Sequence, residues 1–197
     1  MKNHLQIDFW LASTILAPML LAISQFFWVG HVLNSTAAAL QVLSFLFWIF
    51  AFQGMFEQIK DPYPKYAVWG FFLAVYGCLA GNNFGLEGIF IDAFNNLVPD
   101  STVRFNGKVG NAALIAFFLP GALAPLSWLI LGVLFVIQKK IPLWLGLVIA
   151  VAAVGFPLSR IPRILWLAHL DNALLLFGMV ILAFKLYIKN KGNPTQE

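Results

Sequence analysis

Long apolar stretches, separated by short polar or proline-containing turns, cover almost the whole chain. A helix needs about 20 residues to cross the hydrocarbon core of a bilayer, and this length divides the chain into six segments. The pattern therefore predicts an all-α fold, a bundle of six transmembrane helices that forms one domain over residues 1–197. The predicted helices are 7–30, 36–56, 66–91, 112–137, 141–158 and 162–187. The first segment is long enough to span the core and lacks a small-residue cleavage pattern, so we expect a retained helix and not a signal peptide.

Composition and charge agree with a membrane protein. Hydrophobic residues make up 61% of the chain and charged residues 10%, with a mean hydropathy of +0.85, whereas soluble domains are about 45–50% apolar. The net charge of +4 does not indicate a nucleic-acid partner, because the basic residues fall mainly at the ends of apolar segments and act there as topology signals. The partner that this composition predicts is the lipid bilayer.

The basic residues also predict the orientation of the bundle. Six spans bring both termini to one side, and cytoplasmic loops carry the excess of lysine and arginine. We therefore expect cytoplasmic termini in a bacterial inner membrane. The terminal side has Lys2, Lys60, Lys65, Lys139, Lys140, Lys185, Lys189 and Lys191, and the other side has Arg104, Lys108, Arg160 and Arg163.

Local signals predict how individual helices begin and bend. Ser35 or Thr36 is the expected N-cap of the second helix. Pro120 and Pro125 lie inside the fourth segment, where the missing N–H of proline predicts a kink. Cys78 is the only cysteine, which excludes an intrachain disulfide or a CxxC redox site, and we expect it to be a buried small hydrophobic residue.

Residues 159–178 carry charged and polar side chains into the sixth span, so this stretch should have the highest free-energy cost of membrane insertion in the sequence. A charge at the centre of a bilayer is disfavoured by about 2.5–3.5 kcal/mol on insertion scales, so Asp171 is by default a functional-site hypothesis with a partner to be found. The candidate partners at the correct depth are Arg163, Arg160 and His169. Asp171 is either paired with one of them or protonated as a hydrogen-bond donor.

Other polar residues are expected in the same outer half of the membrane. Asn83 and Glu87 are four apart and share one face of the third helix, while Asp92 points elsewhere and is expected to be solvated. We predict that these groups converge with the sixth helix on an outward-facing pocket. The candidate ligand-binding residues are Arg160, Arg163, Asn172, Asn83 and His31.

Three functions fit this pattern. The first is a protein that binds or transports a small amphipathic molecule or lipid, and the arginines favour an anionic head group. The second is a membrane-embedded enzyme, with His169, Asp171 and Glu87 as catalytic candidates in acid–base or metal-ligand roles. The third is an accessory subunit in which polar residues bind helices together. A homo-oligomer is compatible with all three.

No resident metal is predicted, and the cofactor is left unknown. His31 and His169 come from distant helices without the spacing of a metal motif, and His4 is on the opposite side of the membrane. The chain also has no GxSxG, HExxH or P-loop signature. These absences exclude several easy catalytic interpretations but not catalysis itself.

Three short features carry a resemblance to other proteins. They are the pair Ala17 and Pro18 in the first helix, the IPLWLG sequence at 141–146, and the acidic residue Glu87 late in the third helix. In these features the chain resembles uncharacterised bacterial multi-pass membrane proteins that are grouped under domains of unknown function. The resemblance implies six helices and supplies no activity.

Overall fold

The computed structural model describes residues 4–29, 32–97, 110–162 and 164–188. These residues form six helices, all long and apolar enough to cross a membrane, so the predicted multi-pass bundle is confirmed. The helices are α1 (His4–Gln25), α2 (Ser35–Glu57), α3 (Pro64–Leu97), α4 (Asn111–Ile137), α5 (Leu143–Arg160) and α6 (Leu165–Ala183), which continues as a π-helical turn at Phe184–Ile188.

The helices close into a ring. Each helix packs against the next in the chain, and α6 packs back against α1. We call the end of the bundle where α1 begins the terminal end and the end where α1 finishes the distal end. At the distal end, α1 leads into two-residue strands, β1 (Trp28–Val29) and β2 (Val32–Leu33), which pair antiparallel before α2.

Aromatic side chains fill the middle of the ring. Trp48 from α2 and Trp128 from α4 are both completely buried, with ring centroids 4.5 Å apart. Phe52 stacks on Trp128 at 6.3 Å. Phe156 from α5 meets the same indole edge-on at 5.3 Å, a geometry that aromatic pairs prefer. The centre of the bundle is therefore held by side chains from three different helices.

Helix α4 is distorted near Pro120, as its prolines predict. It starts as an α-helical turn and becomes regular only in its second half. The segments in order are α-helical at Asn111–Ala113, π-helical at Leu114–Phe118, 3-10 helical at Leu119–Ala122 and α-helical at Leu123–Ile137. The prediction of an interruption at this point is confirmed.

Side chains from α3 donate hydrogen bonds to two carbonyl groups of this distorted segment. Proline has no N–H, so Pro120 cannot donate to the carbonyl of Ala116 four residues earlier. The hydroxyl of Tyr76 donates to that carbonyl at 2.8 Å. The amide of Asn83 donates to the next carbonyl, that of Phe117, also at 2.8 Å. The distorted segment of α4 is thus completed by α3.

One prediction for the distal end was wrong. The N-cap of α2 is Asn34, whose side-chain oxygen accepts from the backbone N–H of Ala37 at 2.8 Å, and not Ser35 or Thr36. The carboxylate of Asp92, which was expected to be solvated, lies in an exposed contact and accepts from both the backbone N–H and the hydroxyl of Ser35. Asparagine caps helices as well as serine does. Ser35 instead forms a hydrogen-bonded contact between α2 and α3.

Candidate functional site

A buried ion pair lies at the distal end, where α5 gives way to α6. The Nη1 atom of Arg160, the last residue of α5, lies 3.2 Å from Oδ2 of Asp171 in α6. Its Nη2 atom donates to Oδ1 of Asn172. The turn between the helices is closed by the N–H of Ile164, which donates to the carbonyl of Ser159 at 2.9 Å. We call Ser159, Arg160, Asp171 and Asn172 the distal polar cluster.

The guanidinium group of Arg160 is held on several sides. Nη1 also donates to the hydroxyl oxygen of Ser159 at 2.7 Å. The guanidinium carbon lies 4.3 Å from the centre of the Phe156 ring, which is a cation–π distance. An arginine has five N–H donors, and these contacts with Ser159, Asp171 and Asn172 use three of them. Two donors have no hydrogen-bond partner among the described residues.

The cluster also joins α6 to α1. The amide nitrogen of Asn172 donates to the carbonyl of Leu21 at 3.4 Å, and Asn172 itself is buried. One polar group of α6 therefore contacts both α5, through Arg160, and α1. Polar contacts between transmembrane helices commonly bind helices together in this way.

Asp171 is packed closely against α5. A Cβ atom placed on Gly155 would lie 2.6 Å from Oδ1 of Asp171, which is closer than real Cβ atoms come. Oδ1 is buried and has no hydrogen-bond partner among the described residues, while Oδ2 is held by Arg160. The side chain of Asp171 is 2% exposed and that of Arg160 is 17% exposed. The positive partner is therefore the one that can be reached from outside.

The structure brings together three of the predicted site residues and separates others. Arg160, Asp171 and Asn172 form one cluster, in which Arg160, one of the partners proposed for Asp171, pairs with its carboxylate. His169 lies about 200° around the helix from Asp171, so the two side chains do not face each other. The His169 ring packs against Phe26, with ring centroids 4.7 Å apart.

The remaining candidates lie elsewhere or outside the described residues. Asn83 is used by the distorted segment of α4, where its amide completes the carbonyl of Phe117. Glu87 lies one turn further along α3 and is half-buried. His31 and Arg163, both predicted to bind ligand, lie outside the described residues. Asn83 therefore bonds to α4, and the predicted convergence of the α3 residues on the α6 cluster stays a prediction.

Sequence reasoning missed the supports of the cluster. Phe156 lies four residues before Arg160, and this spacing places both on one face of a helix. The cation–π contact could therefore have been predicted from the sequence. Gly155 had none, because its role depends on the packing of α5 against Asp171 in another helix. Ser159 was equally hidden, since a serine beside an arginine at a helix end has no distinctive pattern.

In the described part of the chain, no group of three or more histidine, cysteine, aspartate or glutamate side chains is placed to hold a metal ion. Comparison of the chain with protein-family models, with curated proteins and with solved structures gave no match.

Proposed function

We propose that this integral membrane protein binds the head group of a small amphipathic molecule or lipid at its distal polar cluster. The observation that carries the proposal is the guanidinium of Arg160, which is partly exposed and keeps two N–H donors without a partner among the described residues. A donor left unsatisfied near the hydrocarbon core is costly. A phosphate or carboxylate oxygen would remove that cost and matches the planar fork of arginine.

The contacts of Arg160 support binding because they fix the side chain in advance. Ordering a long side chain at an interface costs about 0.5–1.5 kcal/mol, and here Asp171, Asn172 and Phe156 already order it. Because Asp171 balances the charge of Arg160, the free edge of the guanidinium offers directed N–H groups and not an isolated cation. This favours a head group that accepts hydrogen bonds.

Apolar side chains stand beside the cluster and suit the tail of such a molecule. Ile161 follows Arg160 directly and is 82% exposed, and Ile164, whose N–H donates to the carbonyl of Ser159, is 36% exposed. A ligand with an acceptor head group and an apolar tail would contact Arg160 with one end and this surface with the other. The chemistry of the neighbourhood is therefore amphipathic, like the proposed ligand.

The two alternative functions receive less support. An enzyme that uses His169 and Asp171 as an acid–base pair would need the two side chains to approach one substrate, but they point to different sides of α6. An accessory subunit is supported by the way in which the cluster joins α1, α5 and α6. That role explains the buried contacts of Asp171 and Asn172, but it does not explain why two N–H donors of Arg160 remain available.

We also propose that the terminal end faces the cytoplasm of a bacterial inner membrane, so that the distal site opens outwards. This orientation is supported by the described lysines at the terminal end, against Arg160 at the distal end, and by the positive-inside rule. The lysines are Lys60, Lys65, Lys139, Lys140 and Lys185.

The binding proposal is tested with two detergents that share a tail. Purified protein in a neutral maltoside detergent is unfolded thermally with added dodecyl phosphate or with added dodecyltrimethylammonium. Because the acceptor head group binds only the folded protein, we expect dodecyl phosphate at about 100 times its Kd to raise Tm by roughly 5–10 °C. The cationic detergent should give no such rise.

The variant Arg160→Lys is the matched test of the guanidinium. It retains a positive charge opposite Asp171 but removes the fork with its unused donors, so the response to dodecyl phosphate should fall clearly below that of the wild type. Lys65→Gln, which changes an exposed lysine at the other end of the bundle, should keep the response. Equal responses to both detergents, or a full response in Arg160→Lys, would contradict binding at Arg160 and favour the accessory role.

A further inference from the structure

A second polar surface lies at the terminal end of the bundle, which is the end opposite the distal polar cluster. A groove of about 470 Å³ opens there between the α4–α5 turn and the end of α6. Three lysines line it, Lys139 and Lys140 from the turn and Lys185 from α6, and apolar residues such as Pro142 and Leu143 complete its wall. The groove thus combines cations with an apolar surface.

The backbone of the turn fixes where two of these lysines stand. Lys139 has a φ of 56°, a left-handed conformation that is uncommon for a residue with a side chain. Its N–H donates to the carbonyl of Val136 at 2.9 Å, and the N–H of Lys140 donates to the carbonyl of Phe135 at 2.9 Å. This geometry ends α4 abruptly and holds consecutive lysines at the mouth of the groove.

The lysines of the groove differ in how they are engaged. The side chains of Lys139 and Lys185 are exposed, and neither forms an ion pair within the described ranges. The ammonium group of Lys140 donates to the carbonyl of Gln58, which ties the groove to the α2–α3 turn. By contrast, Lys60 at the same end is paired with Glu57 at 2.6 Å. Positive charge is therefore available in the groove at Lys139 and Lys185.

We infer that this groove binds the phosphate of an anionic phospholipid. Basic pockets between transmembrane helices are sites for such head groups, and Lys139 and Lys185 supply the charge. The apolar wall favours a lipid over a free phosphate ion, because Leu143, which lines the groove next to Pro142, is 64% exposed. These side chains offer a surface for acyl chains, from which an inorganic ion would gain nothing.

The test is native mass spectrometry of the full chain in detergent with equal amounts of phosphatidylglycerol and phosphatidylcholine. We expect the wild type to retain phosphatidylglycerol in preference. The variant Lys139→Gln/Lys185→Gln should bind it about 30-fold more weakly, which corresponds to about 1 kcal/mol of electrostatic attraction for each lysine removed. Addition of inorganic phosphate should not displace the lipid.

The matched control is Lys60→Gln/Lys65→Gln, which removes the same charge from the same end but outside the groove. It should keep the preference for phosphatidylglycerol. An equal loss in both double variants, no preference in the wild type, or displacement by inorganic phosphate would overturn the inference. The groove variant should also keep the response to dodecyl phosphate that depends on Arg160, which separates the two sites experimentally.

Discussion

Nη1 of Arg160 lies 3.2 Å from Oδ2 of Asp171, so the last residue of α5 pairs with a residue in the second turn of α6. The pair crosses the short distal turn and places its positive member nearer to the surface. Asp171 is buried between α5 and α6, whereas the Arg160 side chain keeps 17% of its surface exposed. Asp171 is therefore the buried member of the pair, and Arg160 is the member that can be reached from outside the bundle.

Breaking the pair should destabilise the protein strongly. Asp171→Asn leaves the guanidinium of Arg160 without its counter-ion, and removal of one partner of a buried pair costs about 3–5 kcal/mol. Arg160→Gln should destabilise the protein by a similar amount, because it leaves the buried carboxylate of Asp171 without its counter-ion. Thermal unfolding in detergent of both single variants and the double variant measures the coupling between the two residues.

The double variant Arg160→Gln/Asp171→Asn should lose less stability than the sum of the single losses, because no charge is then left unpaired. Asp92→Asn serves as a control, since that carboxylate belongs to an exposed contact with Ser35. Its effect should be below about 1 kcal/mol. Losses that simply add in the Arg160 and Asp171 cycle would show that the two residues do not stabilise each other.

Gly155 should not tolerate a side chain while Asp171 is present. A Cβ atom there would lie 2.6 Å from Oδ1 of Asp171, and overpacking of this kind costs about 1–3 kcal/mol. Gly155→Ala should therefore lower Tm, and the loss should disappear in an Asp171→Ala background, where the crowded oxygen is absent. Gly121→Ala is the control, because its nearest neighbour is Phe84 at 3.4 Å. A loss from Gly155→Ala that persists with Asp171→Ala would contradict this explanation.

The sequence was sufficient for the helices because their signal is length and apolarity. A span must satisfy its own backbone hydrogen bonds, so a run of apolar residues has few alternatives, and the interruption near Pro120 follows from a missing N–H. The N-cap of α2 was a different problem. Asn34, Ser35 and Thr36 are consecutive and all suit an N-cap, so tertiary contact with Asp92 decided which residue was used.

The site was less predictable than the fold. Spacing along the sixth predicted helix put Arg163 on one stripe with Asp171, but Arg163 lies outside the described residues. Arg160 reaches the carboxylate because the turn folds α5 back onto α6. The pairing of Arg160 with Asp171 depends on the geometry of one turn and on the small size of Gly155. Neither feature is visible as a periodic pattern in the sequence. The groove of Lys139 and Lys185 combines residues from two helices that are far apart in the chain.

The proposed orientation, with the terminal end in the cytoplasm, predicts which turns are accessible from outside the cell. The native thiol of Cys78 is buried, so it is replaced by alanine before single cysteines are introduced. Ile161→Cys in the distal turn should react with a membrane-impermeant maleimide in intact cells. Asp61→Cys in a turn at the terminal end should react only after permeabilisation. The reverse labelling pattern would place the terminal end outside and contradict the positive-inside argument.

The last prediction concerns the hydroxyl of Tyr76, which donates to the carbonyl of Ala116 at 2.8 Å. Tyr76→Phe removes that donor and leaves the carbonyl unsatisfied, which should cost about 1 kcal/mol of stability. The loss should depend on Pro120, since proline is the reason that the helix itself provides no donor at this position.

A double-mutant cycle with Pro120→Ala tests this dependence. The alanine of that variant supplies an N–H four residues after Ala116, so α4 could complete the carbonyl itself and Tyr76→Phe should become nearly silent. Thermal unfolding of the four proteins in one detergent gives the coupling. Asn83→Ala removes the corresponding donor at the neighbouring carbonyl of Phe117. The stability that it costs should be the same with and without the Tyr76 hydroxyl. If Tyr76→Phe costs the same with and without Pro120, the hydroxyl does not replace the donor that proline lacks.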